Sequence, residues 1–169
     1  MQTASAKIYS LKYNQAKTYI VAVLFVCGNI VLPQLCHLVP QGGLRLLPIY
    51  FFTLIAAYKY GWRAGLLTAV LSPLVNSVLF GMPPLALLPG ILFKSVVLAA
   101  VAGFASARFK KASLALLCAV VLAYQLVGSL AEWAMVGSLA AAFQDFTIGI
   151  PGMFLQVFGG WLFINRIIK

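Results

Sequence analysis

Residues 113–136 read SLALLCAVVLAYQLVGSLAEWAMV, with a single charged side chain, Glu132. A membrane-crossing helix needs about 20 mostly apolar residues, and this run supplies them. Working outward, five more runs of similar character flank it, at Thr18–Cys36, Leu44–Tyr58, Ala64–Phe80, Ala86–Ala107 and Ile148–Ile167. The whole chain of 169 residues is 63% apolar and 8% charged, with a mean hydropathy of +1.03. An ordinary soluble domain is about 45–50% apolar and about 25% charged. A soluble core of this size has no room for so much apolar surface, so a soluble enzyme, a disordered chain and a disulfide scaffold are excluded. The expected fold is all-α: one polytopic membrane domain over residues 1–169, with six transmembrane helices.

Charge sets the expected orientation. Lysine and arginine number 12 against 2 acids, giving a formal charge of +10. In a soluble chain that balance suggests nucleic acid; here it reads as the lysine and arginine excess of cytoplasmic loops, and no nucleic-acid partner is expected. With a cytoplasmic N-terminus, the inner segments hold Lys7, Lys12, Lys17, Lys59, Arg63, Arg108, Lys110, Lys111, Arg166 and Lys169. The outer segments hold only Arg45, and Lys94 lies inside a run. Six spans place both termini in the cytoplasm. The polar stretch Met1 to Lys17 followed by an apolar run superficially resembles a signal peptide. No small-residue cleavage site follows it, so the run is expected to be an uncleaved first span. The basic, aromatic stretch Lys59-Tyr60-Gly61-Trp62-Arg63 predicts a tight turn between spans two and three.

The prolines fall unevenly. Pro33, Pro40, Pro48, Pro83, Pro84, Pro89 and Pro151 all map to the outer half, and Pro73 to the middle of span three. Irregular backbone at membrane depth is tolerated where protein covers it or where it lines a cavity. The pattern predicts an outward-opening pocket, although the loop prolines would also serve simply to shape loops.

Polar residues within spans are costly and face a bundle interior or a cavity. Thr68, Ser72 and Asn76 share one helix face, as do Asn29, Pro33 and His37, and Gln125, Ser129, Glu132 and Trp133. Span six adds Gln156. These groups serve either as glue between helices or as pocket lining, and Asn76, Gln125 and Gln156 are assigned to the pocket. Lys94 is the most informative. A lysine at such depth costs about 2.5–3.5 kcal/mol on insertion scales, so it needs a partner: Glu132, the one acid within a span, or an electron-rich or anionic ligand. His37, the only histidine, cannot form a multidentate metal site alone, and no metal is expected. The aromatics Tyr50, Phe51, Phe52, Tyr58, Tyr60 and Trp62 read mostly as lipid or interface anchors, with Tyr50 near enough to the outer end to stack on a ligand. Arg45 completes the ligand-binding set of His37, Arg45, Tyr50, Asn76, Lys94, Gln125, Glu132 and Gln156.

Cys27, Cys36 and Cys118 have no ligand spacing and are expected to be buried small hydrophobes. The sequence shows no acid pair within a span, no Ser-His-Asp set with an acid near His37 and no phosphate-binding glycine loop. Neither catalysis nor a cofactor is expected, and active transport would draw its ATP hydrolysis from a partner. In span four, Ala99, Gly103 and Ala107 recur every four residues, a small-residue face that permits close helix approach; it is expected to dock a partner, with packing inside the chain as the alternative.

Several stretches resemble one bacterial family. They are Leu32-Pro33-Gln34-Leu35-Cys36-His37, Gly42-Gly43 with Leu47-Pro48-Ile49, Ala64-Gly65-Leu66-Leu67 running to Leu71-Ser72-Pro73-Leu74, Leu79-Phe80-Gly81-Met82-Pro83-Pro84-Leu85, and Gly149-Ile150-Pro151-Gly152 with Leu155-Gln156. The chain resembles the substrate-binding S components of energy-coupling factor (ECF) vitamin transporters, best over Leu32–Arg108 and at the start of span six. The resemblance implies a six-helix subunit of a bacterial cytoplasmic membrane that binds a vitamin or precursor in its outward half. It also implies a transmembrane T component and two ATPase subunits as partners. The likeness points to the subgroup for pyridoxine-like or cobalamin-precursor ligands. The family's alanine-x-x-x-alanine docking motif is missing from the first helix, where Ala16, Ala22 and Gly28 stand six apart. Two other functions remain open: a structural membrane protein of the cell-shape machinery (MreD-like), and a stand-alone channel or carrier.

Overall fold

In a lipid core an apolar segment has no water to bond, so each backbone N–H turns to the carbonyl one helical turn behind it. The computed structural model describes residues 7–168 and is helical almost wherever the sequence is apolar. In chain order come α1 (Ala16–Cys36), the short α2 (Gly42–Leu46), a 3-10 turn at Pro48–Tyr50, α3 (Phe51–Tyr60), α4 (Trp62–Phe80), α5 (Leu88–Phe109) and α6 (Leu114–Val136). Two single-turn helices follow, α7 (Leu139–Ala142) and α8 (Gln144–Thr147). A last helical stretch, α9, covers residues 150–167, with π-type turns at Leu155–Gly159 and Phe163–Ile167. Among the described residues there is no strand. Four helices, α1, α4, α5 and α6, are long and apolar enough to cross a membrane, the make-up of a membrane-embedded protein.

The second apolar run is not one continuous helix. Proline disfavours helical backbone at the residue before it. Leu47, just before Pro48, leaves the right-handed helical region; it is left-handed, with φ of 46°, and α2 stops there. What remains is α3, 10 residues long and spanning about 15 Å at helical rise, roughly half a hydrocarbon core. α3 lies at the centre of the bundle. Every residue from Thr53 to Lys59 is buried, among α1, α4, α5 and α9. A helix that is apolar all round belongs inside a larger structure. This corrects the expectation of lipid anchors around span two. Tyr50, Phe51 and Tyr58 are core residues, Phe52 and Tyr60 are partly covered, and only Trp62 is well exposed.

Small residues set how closely the helices approach. Gly61, with φ of 98°, is the sole link between α3 and α4 and turns the chain back into a hairpin. Gly65 then sits on Ala57, so close that a Cβ would overlap the Ala57 backbone. Gly103 of α5 packs in the same way on Trp62. At mid-bundle Asn29 of α1 ties three elements together. Its Nδ2 donates to Thr53 Oγ1 and Ser72 Oγ, both at 3.0 Å, and its Oδ1 accepts the Phe52 N–H at 3.2 Å. Buried polar side chains of this kind serve as interhelical glue. On the outside, Tyr19, Ile20, Val23, Leu24, Val31 and Leu35 of α1 lie exposed, an apolar face suited to lipid; Cys27 and Cys118 are exposed as well, and only Cys36 is buried as expected, because the first two lie on outward faces of α1 and α6.

All the long elements run between the same two ends. At one end Tyr9 N–H donates to Lys59 O at 2.8 Å, Leu11 N–H donates to Tyr60 O at 3.0 Å, and Tyr58 Oη donates to Lys111 O at 2.8 Å. Lys59 Nζ reaches Ile164 O at 3.2 Å, and Asn165 Nδ2 reaches Ala112 O at 3.2 Å. These contacts gather Lys7, Lys12, Lys17, Lys59, Arg63, Arg108, Lys110, Lys111 and Arg166 at that end. Lys169 lies outside the described residues. The opposite end carries Arg45 and both acids.

Gly65→Leu should place a branched side chain against the Ala57 backbone, and overpacking of this sort costs about 1–3 kcal/mol. Thermal unfolding in detergent should show a clear fall in Tm for Gly65→Leu, whereas Ala100→Leu, at an exposed position of α5, should leave Tm within the scatter of wild type.

Candidate functional site

The site at the base-poor end grows from one face of α6. Gln125, Gly128, Ser129 and Glu132 stand three or four residues apart and project together. Gly128 leaves a channel for the Lys94 stem: a Cβ there would overlap Lys94 Cγ. Lys94 crosses from α5 over this glycine, and its Nζ lies 2.5 Å from Glu132 Oε2 and 2.9 Å from Asp145 Oδ2. Asp145 comes from α8, in the connection between α6 and α9. The two acids of the entire sequence thus converge on its one lysine placed mid-helix in a long apolar run. Side-chain exposures are 5% for Lys94, 20% for Glu132 and 13% for Asp145, so the triad is largely withdrawn from solvent. Of the two partners open to Lys94 on sequence, Glu132 is present, and Asp145 joins it.

Several buried polar side chains of α5, α6 and α9 lack partners. Among the described residues, both amide atoms of Gln125, the hydroxyls of Ser95 and Ser129, and Gln156 Nε2 make no hydrogen bond, and all are buried. Tyr124 donates from Oη to Gln156 Oε1 at 2.8 Å and packs its ring 5.5 Å from that of Tyr50. Buried polar groups are nearly always paired. This set of unpaired groups makes the region the candidate site.

A cavity of about 460 Å³ adjoins this cluster. Its walls are Pro33, Gln34 and His37 at the end of α1, the α2 stretch Gly42–Leu44, Pro48 and Ile49, Asn76 of α4, Met82–Pro84, and Leu87 and Ile91. Asn76 Nδ2 donates to Asn29 O and Ser72 O, both at 2.9 Å, while its Oδ1 has no partner. The first turn of α5 forms the partition. Leu87 and Ile91 face the cavity, and Gly90 between them backs onto Glu132, whose Cδ lies 3.8 Å from where a Cβ would stand.

The eight residues expected to bind ligand therefore divide. Tyr50, Lys94, Gln125, Glu132 and Gln156 belong to the triad and its surroundings. His37 and Asn76 line the cavity. Arg45 is exposed on α2 and is not among the cavity's walls. Trp133, expected to share the Gln125 face, is exposed, because the residue next to Glu132 is turned about 100° away from it. Of the small-residue face on α5, Ala99 and Gly103 are buried within the chain and Ala107 is exposed. Two contributors had not been named as site residues, Asp145 and Tyr124. A count of charges was the available signal for Asp145, since two acids near one end face one lysine. Tyr124, an apparently apolar neighbour of Gln125, carried none.

Removing the lysine should strand two carboxylates. Breaking a buried ion pair by deleting one partner costs about 3–5 kcal/mol, whereas replacing the whole set with neutral groups is often tolerated. Lys94→Met should therefore lower detergent Tm strongly, and the triple variant Lys94→Met, Glu132→Gln, Asp145→Asn should recover most of the loss. Equal Tm for the single and triple variants would show that the charges are not coupled.

Comparison with known proteins finds no family model, no curated protein and no solved structure that matches this chain.

Proposed function

We propose that the chain is the substrate-binding membrane subunit of an ATP-driven importer, of the ECF S-component kind, capturing a vitamin-like small molecule from outside a bacterial cytoplasmic membrane. One observation carries this most directly: at the base-poor end, a cavity of about 460 Å³ is walled in part by Asn76, whose Oδ1 is buried without a partner. Small-molecule sites are concave and mostly apolar, about 300–1,000 Å³, with a few placed polar groups. Lysine and arginine favour the cytoplasmic side, so the basic end faces inward and the cavity outward. In this account the four long helices, α3 with its preceding 3-10 turn, and α9 make six passes, and both chain ends lie inside.

Capture alone moves nothing across a membrane. The resemblance of Leu32–Arg108 to S components supplies the rest of the proposal: a T component and two ATPases that bind at the inner side and drive release. The exposed Ala107 end of the α5 small-residue face lies at that inner end and is the proposed docking point.

A ligand that binds only the folded state stabilises it by about 2.7 kcal/mol at 100 times its Kd. The protein, purified in mild detergent and titrated with a panel of vitamins and their precursors, should show a saturable rise in Tm with at least one pyridoxine-like or benzimidazole-like compound. Asn76→Ala should weaken that response. A panel in which no compound raises Tm would favour the structural-protein alternative.

A further inference from the structure

A second cavity, of about 640 Å³, lies at the basic end. Lys7 and Tyr9 of the N-terminal segment, Trp62 after the hairpin glycine, Gly103 and Ser106 of α5, and Lys110 at the C-cap of that helix form most of its wall. The aromatic members bring further cations. Lys7 Nζ stands 5.4 Å and Lys17 Nζ 5.0 Å from the centre of the Tyr9 ring, and the Arg63 guanidinium stands 5.1 Å from that of Trp62. Contact with a ring attracts a cation without neutralising it. No acidic side chain stands by to do so. Glu132 and Asp145 are both spent on Lys94 at the opposite end, and among the described residues none of Lys7, Lys17, Arg63 and Lys110 takes part in an ion pair.

Four positive charges around a concavity with no counter-charge call for an anion, and the surroundings say which kind. Trp62 is well exposed at this end, and tryptophan beside basic side chains marks the level of lipid headgroups. An apolar lane leads up to the cavity: Phe93, Ala100, Phe104 and Ala107 of α5 are exposed and share one face by their spacing, and Ala107 belongs to the cavity wall. A small free anion would use the charges alone. A molecule with an anionic head and an apolar tail would use both, and basic pockets between membrane helices bind phospholipid headgroups.

We propose that this cavity holds the phosphate of an anionic phospholipid between Lys7 and Lys110, with its acyl chains lying along the Phe93–Ala107 face of α5. The site is at the opposite end from the solute cavity and does not rest on the import role. A partner docked at Ala107 would close over the headgroup.

Lipid titration of the delipidated full chain in mild detergent, read by native mass spectrometry, tests this. Phosphatidylglycerol should be retained saturably as one molecule per chain, and phosphatidylcholine should not. The double variant Lys7→Gln, Lys110→Gln should weaken phosphatidylglycerol binding by about tenfold or more, the scale of two basic side chains beside an anionic headgroup. The control double variant Lys12→Gln, Lys111→Gln removes the same charge from the same end at residues outside the cavity wall, and should bind within about twofold of wild type. All four lysines are exposed, so both variants should fold, which an unchanged Tm checks. Millimolar inorganic phosphate should leave the bound lipid in place. Equal retention of the two lipids would overturn the assignment. So would equal weakening in the two double variants, which would make the effect one of diffuse charge, or displacement of the lipid by inorganic phosphate, which would make the site one for a free anion.

Discussion

The interior ion cluster of Lys94, Glu132 and Asp145 is the constraint around which the base-poor end is arranged. A lysine placed in an apolar helix must be neutralised or left at considerable cost. Meeting that need requires a glycine at 128, where any side chain would collide with the lysine stem. It requires Glu132 one turn further along α6. It also requires that the connection between α6 and α9 fold back so that Asp145 arrives at 2.9 Å. The cluster thereby fixes α5 against α6 and pins α8 over both. It is weak evidence for raw stability, because desolvation offsets much of the attraction in a buried pair.

The two halves of the bundle are built differently. Toward the basic end the helices approach through small residues, with Gly65 on Ala57 and Gly103 under Trp62, and the N-terminal segment pairs with the last carbonyls of α3. Toward the other end the backbone is irregular: Leu47 is left-handed, α2 and α8 are single turns, and the prolines at 83 and 84 lead into α5. The irregular end holds the concavity beside Asn76 and His37. The central position of α3, buried on every side, joins the two. The Asn29 hydrogen bonds at its first turn tie α1, α3 and α4 together while Tyr50, just before it, turns its ring to Tyr124.

Much of this was legible from residue spacing. The four long helices begin and end within about two residues of the apolar runs, because hydropathy and backbone satisfaction in lipid are the same constraint. The buried face of Thr68, Ser72 and Asn76 followed from four-residue spacing, as did the alignment of Gln125, Ser129 and Glu132. The second run is not one continuous helix because hydropathy is blind to the backbone break before Pro48, and its aromatics pointed to lipid when the surrounding helices in fact enclose most of them. Asp145 sits in a non-periodic connection, where no pattern predicts direction, so its return to Lys94 was visible only as an unbalanced charge count. Lys59, assigned to a basic turn, is instead buried beneath α9, because its turn is a single glycine and leaves the lysine inside the helix.

The most direct measurement is native mass spectrometry of the protein released gently from nanodiscs after expression in a bacterial membrane. The account predicts a population heavier than the bare 18.2 kDa chain by one small molecule at one-to-one stoichiometry, lost from variants at Asn76. A bare chain under every mild condition, with those variants indistinguishable from wild type, would contradict it.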